Sequence, residues 1–86
     1  MGAATWITCP RGTWSRVFQG PAPWGFVYLW SASPPANVSY REYSAGLPFY
    51  YAGSLTVQVK TTVVVGPSPY VEIWVNPAAT GNFRVT

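Results

Sequence analysis

Residues 49–75 read FYYAGSLTVQVKTTVVVGPSPYVEIWV, and this stretch holds the clearest structural pattern of the sequence. Apolar and polar residues alternate over 55–59 and again over 71–75, which is typical of strands with one buried and one solvent-facing side. Between them, Gly66-Pro67-Ser68-Pro69 favours a turn, because proline lacks a ladder donor and glycine permits tight backbone conformations. We therefore predict two antiparallel neighbouring strands that share one core. The predicted core side chains are Leu55, Val57, Val59, Val71, Ile73 and Val75.

The rest of the chain consists of short β-prone segments between breaks rich in glycine and proline. The further strand candidates are residues 5–9, 13–18, 24–30, 38–43 and 83–86, and a stiff turn is predicted over 19–23. No window combines helical apolar spacing with a cap, and nine prolines argue against long helices. The sequence thus predicts a single all-β domain over residues 1–86, either a small antiparallel β-sandwich or a partial jelly roll. The last segment either completes the sheet of this domain or belongs to a larger jelly roll.

The composition predicts an exposed aromatic surface. Only 8% of the residues are charged, against about 25% in an ordinary soluble domain, whereas 17% are aromatic. A chain of 86 residues cannot enclose so many large rings in one core, and exposed apolar area of this kind marks an interface or a ligand platform. The interface candidates are Trp24, Phe26, Tyr28, Trp30 and Trp74.

Residues 24–30 leave two arrangements open. The four rings of this segment share one side of the predicted strand, and Val27 and Leu29 share the other. Either the aliphatic side chains face the core and the rings face outward to a partner, or the rings form the core. We favour the outward arrangement, because so few charges leave little to keep copies of the chain apart.

Catalysis has little support in this composition. Without histidine or aspartate, the chain cannot build a Ser-His-Asp or Cys-His arrangement. Glu42 and Glu72 are interpreted as surface carboxylates, and Cys9 as a buried, inert thiol. Neither a metal-ligand cluster nor a phosphate-binding glycine loop is present in the sequence. We predict no catalytic residue, no metal, no cofactor and no enzymatic activity.

The remaining function classes are assembly and binding. Assembly with copies of the same or related chains is the leading hypothesis, and a carbohydrate-binding module that uses exposed Trp and Tyr is the alternative. Binding of single-stranded nucleic acid without sequence specificity is weaker, because the five cations are dispersed along the sequence. No run of about 18 apolar residues occurs, so no membrane span is expected.

Residues 48–59, PFYYAGSLTVQV, resemble a stretch of picorna-like virus capsid proteins, in which an aromatic pair precedes Gly-Ser and an alternating strand. A second strand ending in a Pro-containing turn follows there, as Val71 to Pro77 does here. The resemblance covers about a third of the chain and implies a jelly-roll subunit of a virion shell. Ala52 departs from it, since the family usually has arginine before Gly-Ser. Gln19-Gly20 is similar to the junctions that picornaviral proteases cut, and also to cleavage scars of expression vectors.

Overall fold

The computed structural model describes residues 5–44, 50–65 and 67–86, and every regular element in these ranges is a β-strand. The strands are β1 (Ile7–Cys9), β2 (Ser15–Ala22), β3 (Phe26–Ser31), β4 (Ala36–Ser44), β5 (Tyr50–Val57), β6 (Lys60–Val64), β7 (Ser68–Pro77) and β8 (Gly81–Val85). The predicted all-β class is confirmed. Within these ranges the chain forms no helix that could cross a membrane.

The strands form two antiparallel four-stranded sheets that pack into a β-sandwich. The first sheet has the order β1-β8-β3-β6, and the second has the order β2-β7-β4-β5. The pairs follow a nested scheme, because β1 pairs with β8, β2 with β7, β3 with β6, and β4 with β5. The chain is thus one long hairpin whose two arms are folded across both sheets.

The core lies between the sheets and confirms most of the predicted core positions. Val57, Val71, Ile73 and Val75 are at most 1% exposed, and Leu55 packs against them at partial burial. Val59 was predicted to be buried and is 60% exposed. β5 ends at Val57, and the Gln58 amide then donates a hydrogen bond to Thr61 Oγ1 (2.8 Å). The alternating pattern of the sequence therefore runs past the end of the strand into a turn, which contains Val59.

The predicted pairing of the two central strands is wrong. β5 and β7 do lie in the same sheet, but β4 separates them and pairs with both. After the turn that follows β5, residues 60–64 form β6 in the other sheet. Alternation specifies which side of a strand is buried and says nothing about which strand lies beside it.

The predicted turn over residues 19–23 is also wrong, since β2 continues to Ala22. Pro21 is tolerated there because β2 is an edge strand, and the register shifts between Gly20 and Ala22. At the other end of the chain, β8 pairs with both β1 and β3. The last segment therefore completes a sheet of this domain, as the first of the two readings expected.

Candidate interaction surfaces

The outer face of the first sheet carries the rings of β3. Val27 and Leu29 are buried between the sheets, so Phe26, Tyr28 and Trp30 point outward. This is the arrangement that we favoured from the sequence. Phe26 and Tyr28 form an edge-to-face pair with ring centroids 5.4 Å apart.

Two cations interleave with aromatic rings across this face. Trp30 is the register partner of Arg84 on β8 and of Lys60 on β6. The Arg84 guanidinium lies 4.8 Å from the Trp30 ring centroid and 4.7 Å from that of Trp6, and Lys60 Nζ lies 5.5 Å from that of Trp30. We call Trp6, Arg84, Trp30 and Lys60 the aromatic–cation row. The row runs from Trp6, just before β1, across β8 and β3 to Lys60 on β6, and Lys60 also lies 4.2 Å from the ring of Tyr28.

Neither glutamate of the chain lies on this face, because Glu42 is on β4 and Glu72 on β7, both in the second sheet. The Nε atom of Arg84 is buried and has no hydrogen-bond partner. The Trp30 indole is fixed by a hydrogen bond from its Nε1 to Thr86 Oγ1 (2.9 Å). The row therefore presents two cations without a neighbouring glutamate.

The outer face of the second sheet contains a cleft of about 370 Å³. We call it the second-sheet cleft, and it is lined by Trp14, Arg41, Tyr43, Glu72 and Trp74. The Arg41 guanidinium lies 4.1 Å from the Trp14 ring centroid, and Arg41 faces Trp74 across the β4–β7 pair. Three aromatic rings thus surround a site that also offers a cation and a carboxylate.

Hydrogen bonds hold the Glu72 carboxylate in this cleft. It accepts one from the Tyr70 hydroxyl and one from the Trp74 indole Nε1 (3.0 Å), and Arg16 Nη1 lies 4.0 Å away. These donors, Tyr70 first, lower the pKa of Glu72. The same bond to Glu72 raises the pKa of Tyr70. The sequence-based placement of Glu72 on the polar side of its strand is confirmed.

Glu42 is not the surface carboxylate that the sequence suggested. It is 9% exposed and lies on the inner side of β4, beside a cavity of about 440 Å³ that Tyr40 and Tyr51 also line. Burial raises the pKa of Glu42, and a hydrogen bond from the Ser44 hydroxyl (3.3 Å) opposes the rise. Burial, followed by the hydrogen bond with Tyr51, raises the pKa of Tyr40 to about 12.

Exposed apolar side chains collect at one end of the sandwich. We call this the Trp24 end, where β2, β4 and β6 end and β3, β5 and β7 begin. Six of the eight large hydrophobic side chains that are exposed in the described ranges lie there: Trp24, Phe26, Tyr43, Tyr51, Val64 and Tyr70. Trp24 is 81% exposed in the β2–β3 turn, and Val64 is 76% exposed opposite Phe26.

The five interface candidates from the sequence therefore do not form one surface. Trp24 and Phe26 lie at the Trp24 end, Tyr28 and Trp30 lie farther along the same outer face, and Trp74 lies on the opposite side of the sandwich. Sequence reasoning missed Trp6, Lys60 and Arg84. The alternation of residues 83–86 placed Arg84 opposite to Phe83, but nothing in the sequence indicated that β8 lies beside β3.

The groups that these surfaces present are aromatic rings, cations and the Glu72 carboxylate. In the part of the chain that the structure describes, no three His, Cys, Asp or Glu side chains come close enough to hold a metal ion. Cys9 is fully buried, as expected, and burial raises the pKa of its thiol. No protein-family model and no curated protein matches this chain.

Proposed function

We propose that this chain is a structural subunit that assembles with copies of itself through the Trp24 end. The observation that carries the proposal is the collection of six exposed apolar side chains at that end, with Trp24 the most exposed of them. Trp and Tyr are the residue types that dominate the energetics of protein interfaces when they are covered. Apolar groups concentrated on one part of a small monomer indicate a contact surface.

The expected occupant is a second copy of the same chain. Only 8% of the residues are charged, so few like charges oppose the approach of two copies. A standard interface buries about 800 Å² per partner, which is about a sixth of the 5009 Å² surface of this molecule. Trp24 is 81% exposed, so covering this one ring would supply a substantial share of that area.

The strand order supports the shell-subunit form of the proposal. Two four-stranded sheets connected by nested antiparallel pairs have the arrangement of a jelly roll, which is used by capsid and lectin domains among others. We infer that the chain is a very small jelly roll. The jelly-roll strand order agrees with the resemblance of residues 48–59 to capsid proteins. Because one fold serves many functions, the assembly proposal still depends on the exposed side chains of the Trp24 end. A virion is the location that this form of the proposal implies.

The test compares two exposed valines at opposite ends of the sandwich. Native mass spectrometry and sedimentation should show an oligomer for the unmodified chain, and electron microscopy should show whether it forms a closed particle. Trp24→Ser and Val64→Ser should shift the population to monomer while leaving the far-UV β signal intact. Val59→Ser is the matched control, since Val59 is also exposed (60%) but lies in the β5–β6 turn at the other end. The proposal would be contradicted if the unmodified chain stayed monomeric at micromolar concentration. It would also be contradicted if Val64→Ser and Val59→Ser shifted the population to monomer equally.

Carbohydrate binding at the second-sheet cleft is the second candidate function. The observation in its favour is that this cleft combines Trp14 and Trp74 with the hydrogen-bonding groups of Glu72. Flat rings contact the apolar faces of sugars, while polar groups fix the hydroxyls. Tryptophan fluorescence should then change on titration with neutral oligosaccharides, and Trp14→Ala should abolish the change. No response to a panel of glycans would exclude this function.

A further inference from the structure

The aromatic–cation row gives the first sheet a surface unlike that of the second. Both sheets carry outward-facing rings and cations, but only the second also carries an outward-facing carboxylate, that of Glu72. The two cations of the row are separated by β3, which places them about 10 Å apart across the sheet. The outer face of the first sheet is therefore a positively charged strip without a carboxylate side chain.

The cations of the row have ring partners but no carboxylate partner. Arg84 lies between Trp6 and Trp30, and its buried Nε has no hydrogen-bond partner. A partly desolvated cation without a counter-charge favours an anion that can approach it. The two rings that flank Arg84 restrict its side chain, which lowers the entropic cost of binding such an anion.

The rings specify what kind of anion fits. Trp6 beside Arg84 is 41% exposed, and Phe26, four residues from Trp30 along β3, is 38% exposed on the same face, so planar groups can stack at both places. Single-stranded nucleic acid combines phosphates with unpaired bases, and proteins bind it with aromatic platforms next to positive charge. A duplex keeps its bases stacked inside and offers no free ring face to such a platform.

We propose that the outer face of the first sheet binds single-stranded nucleic acid without sequence specificity, with Arg84 and Lys60 on the phosphates and the rings of Trp6, Trp30 and Phe26 on the bases. This proposal goes beyond self-assembly. Phe26 is the one side chain that both proposals use. The tested row residues Trp30 and Lys60 lie outside the Trp24 end, and Trp24 and Val64 lie outside the row, so either proposal can fail while the other stands.

The number of cations sets the salt dependence. Two phosphate contacts to a single strand predict that the logarithm of the binding constant falls with the logarithm of salt concentration at a slope of about −1.4. Lys60→Gln should reduce this slope to about −0.7. Trp30→Leu should weaken binding by about 5- to 150-fold, the range for loss of one stacked base.

The experiment is fluorescence anisotropy with the full chain at low salt. The probes are 12-nucleotide oligo-dT and oligo-U, a 12-base-pair duplex, and an abasic 12-mer with the same phosphates. We expect both single strands to bind more tightly than the duplex and the abasic oligomer, and the ratio of the two single-strand affinities distinguishes DNA from RNA as the ligand. Trp74→Leu and Arg16→Gln are the matched controls. They remove one indole ring and one positive charge from the opposite face, where Arg16 lies 5.9 Å from the Trp74 ring centroid.

Three outcomes would overturn the proposal. One is no measurable binding of either single strand by the unmodified chain. Another is equal affinity for the abasic oligomer, which would indicate a general polyanion site such as one for an acidic polysaccharide. The third is an equal loss of binding in the matched control variants. If Trp30→Leu fails to fold by circular dichroism, the slope of Lys60→Gln decides, since Lys60 is exposed.

Discussion

Val57 and Val59 show how strongly the burial of a side chain depends on where its strand ends. Val57 is fully buried as the last residue of β5, whereas Val59 lies in the following turn and is 60% exposed. We expect Val57→Ala to lower the free energy of unfolding by about 1–4 kcal/mol through lost burial and a residual cavity. Val59→Ala should change it by no more than about 0.5 kcal/mol. Denaturant titration of both variants tests this, and equal losses would contradict the placement of the turn.

The two glutamates should make the stability depend on pH in opposite directions. Burial raises the pKa of Glu42, so folding favours its protonated form, and stability should fall as the pH rises from the ordinary glutamate value through the raised one. Hydrogen bonds lower the pKa of Glu72, so folding favours its ionised form. The stability that this adds is present above the ordinary pKa of glutamate and is lost as the pH falls through the lowered pKa of Glu72.

Single variants separate the two contributions. Denaturant titrations from about pH 3 to about pH 8 should show that Glu42→Gln removes the loss of stability on the alkaline side of the ordinary glutamate value. Glu72→Gln should instead remove the loss on the acidic side. If Glu42→Gln left the pH profile unchanged, Glu42 would not be buried as described.

At the scale of elements, the β2–β3 turn connects the two sheets and depends on one glycine. Gly25 has φ = +83°, and its amide donates a hydrogen bond to the Ala22 carbonyl (3.2 Å) while its carbonyl accepts one from Val65 (3.0 Å). A Cβ atom built on Gly25 would lie 3.2 Å from Pro67 Cδ. The turn is thus packed against the β6–β7 connection, which fixes the position of Trp24 at its exposed tip.

Gly25→Ala should therefore destabilise the protein more than Gly12→Ala. Gly12 has a similar φ of +72°, but a Cβ there would meet no atom within 4 Å. The left-handed backbone conformation should lower the free energy of unfolding by about 1–2 kcal/mol in both variants. Only Gly25→Ala should lose about 1–3 kcal/mol more, through crowding against Pro67. Thermal or denaturant unfolding measures the difference. Equal destabilisation would show that the contact with Pro67 contributes nothing.

At the scale of the whole molecule, the nested hairpin forms a thin body of 32 × 30 × 16 Å with two outer sheet faces that meet at the Trp24 end. The two sheets face away from each other, and the connections β2–β3 and β6–β7 bring exposed apolar side chains to one end. A subunit of this shape can contact its neighbours through its end and leave a sheet face available to another ligand. The assembly and nucleic-acid proposals are physically compatible for this reason.

The sequence by itself determined the class of the fold and which side of most strands is buried. Alternation, β-branched residues and proline density led to an all-β sandwich, with Val71, Ile73 and Val75 in its core, because side-chain direction in a strand follows a local period of two. For residues 24–30 the alternation left two arrangements open, and the scarcity of charge favoured the outward rings that β3 shows.

Only the tertiary structure decided which strands are neighbours, and therefore which functional groups meet. Arg84 and Lys60 are 24 residues apart in the sequence, yet both flank Trp30, because β8 and β6 pair with the two edges of β3. Glu42 is buried because β4 turns that position inward, whereas its charge alone indicated the surface. Pairing between distant strands is set by the packing of the whole core and leaves no local trace in the sequence.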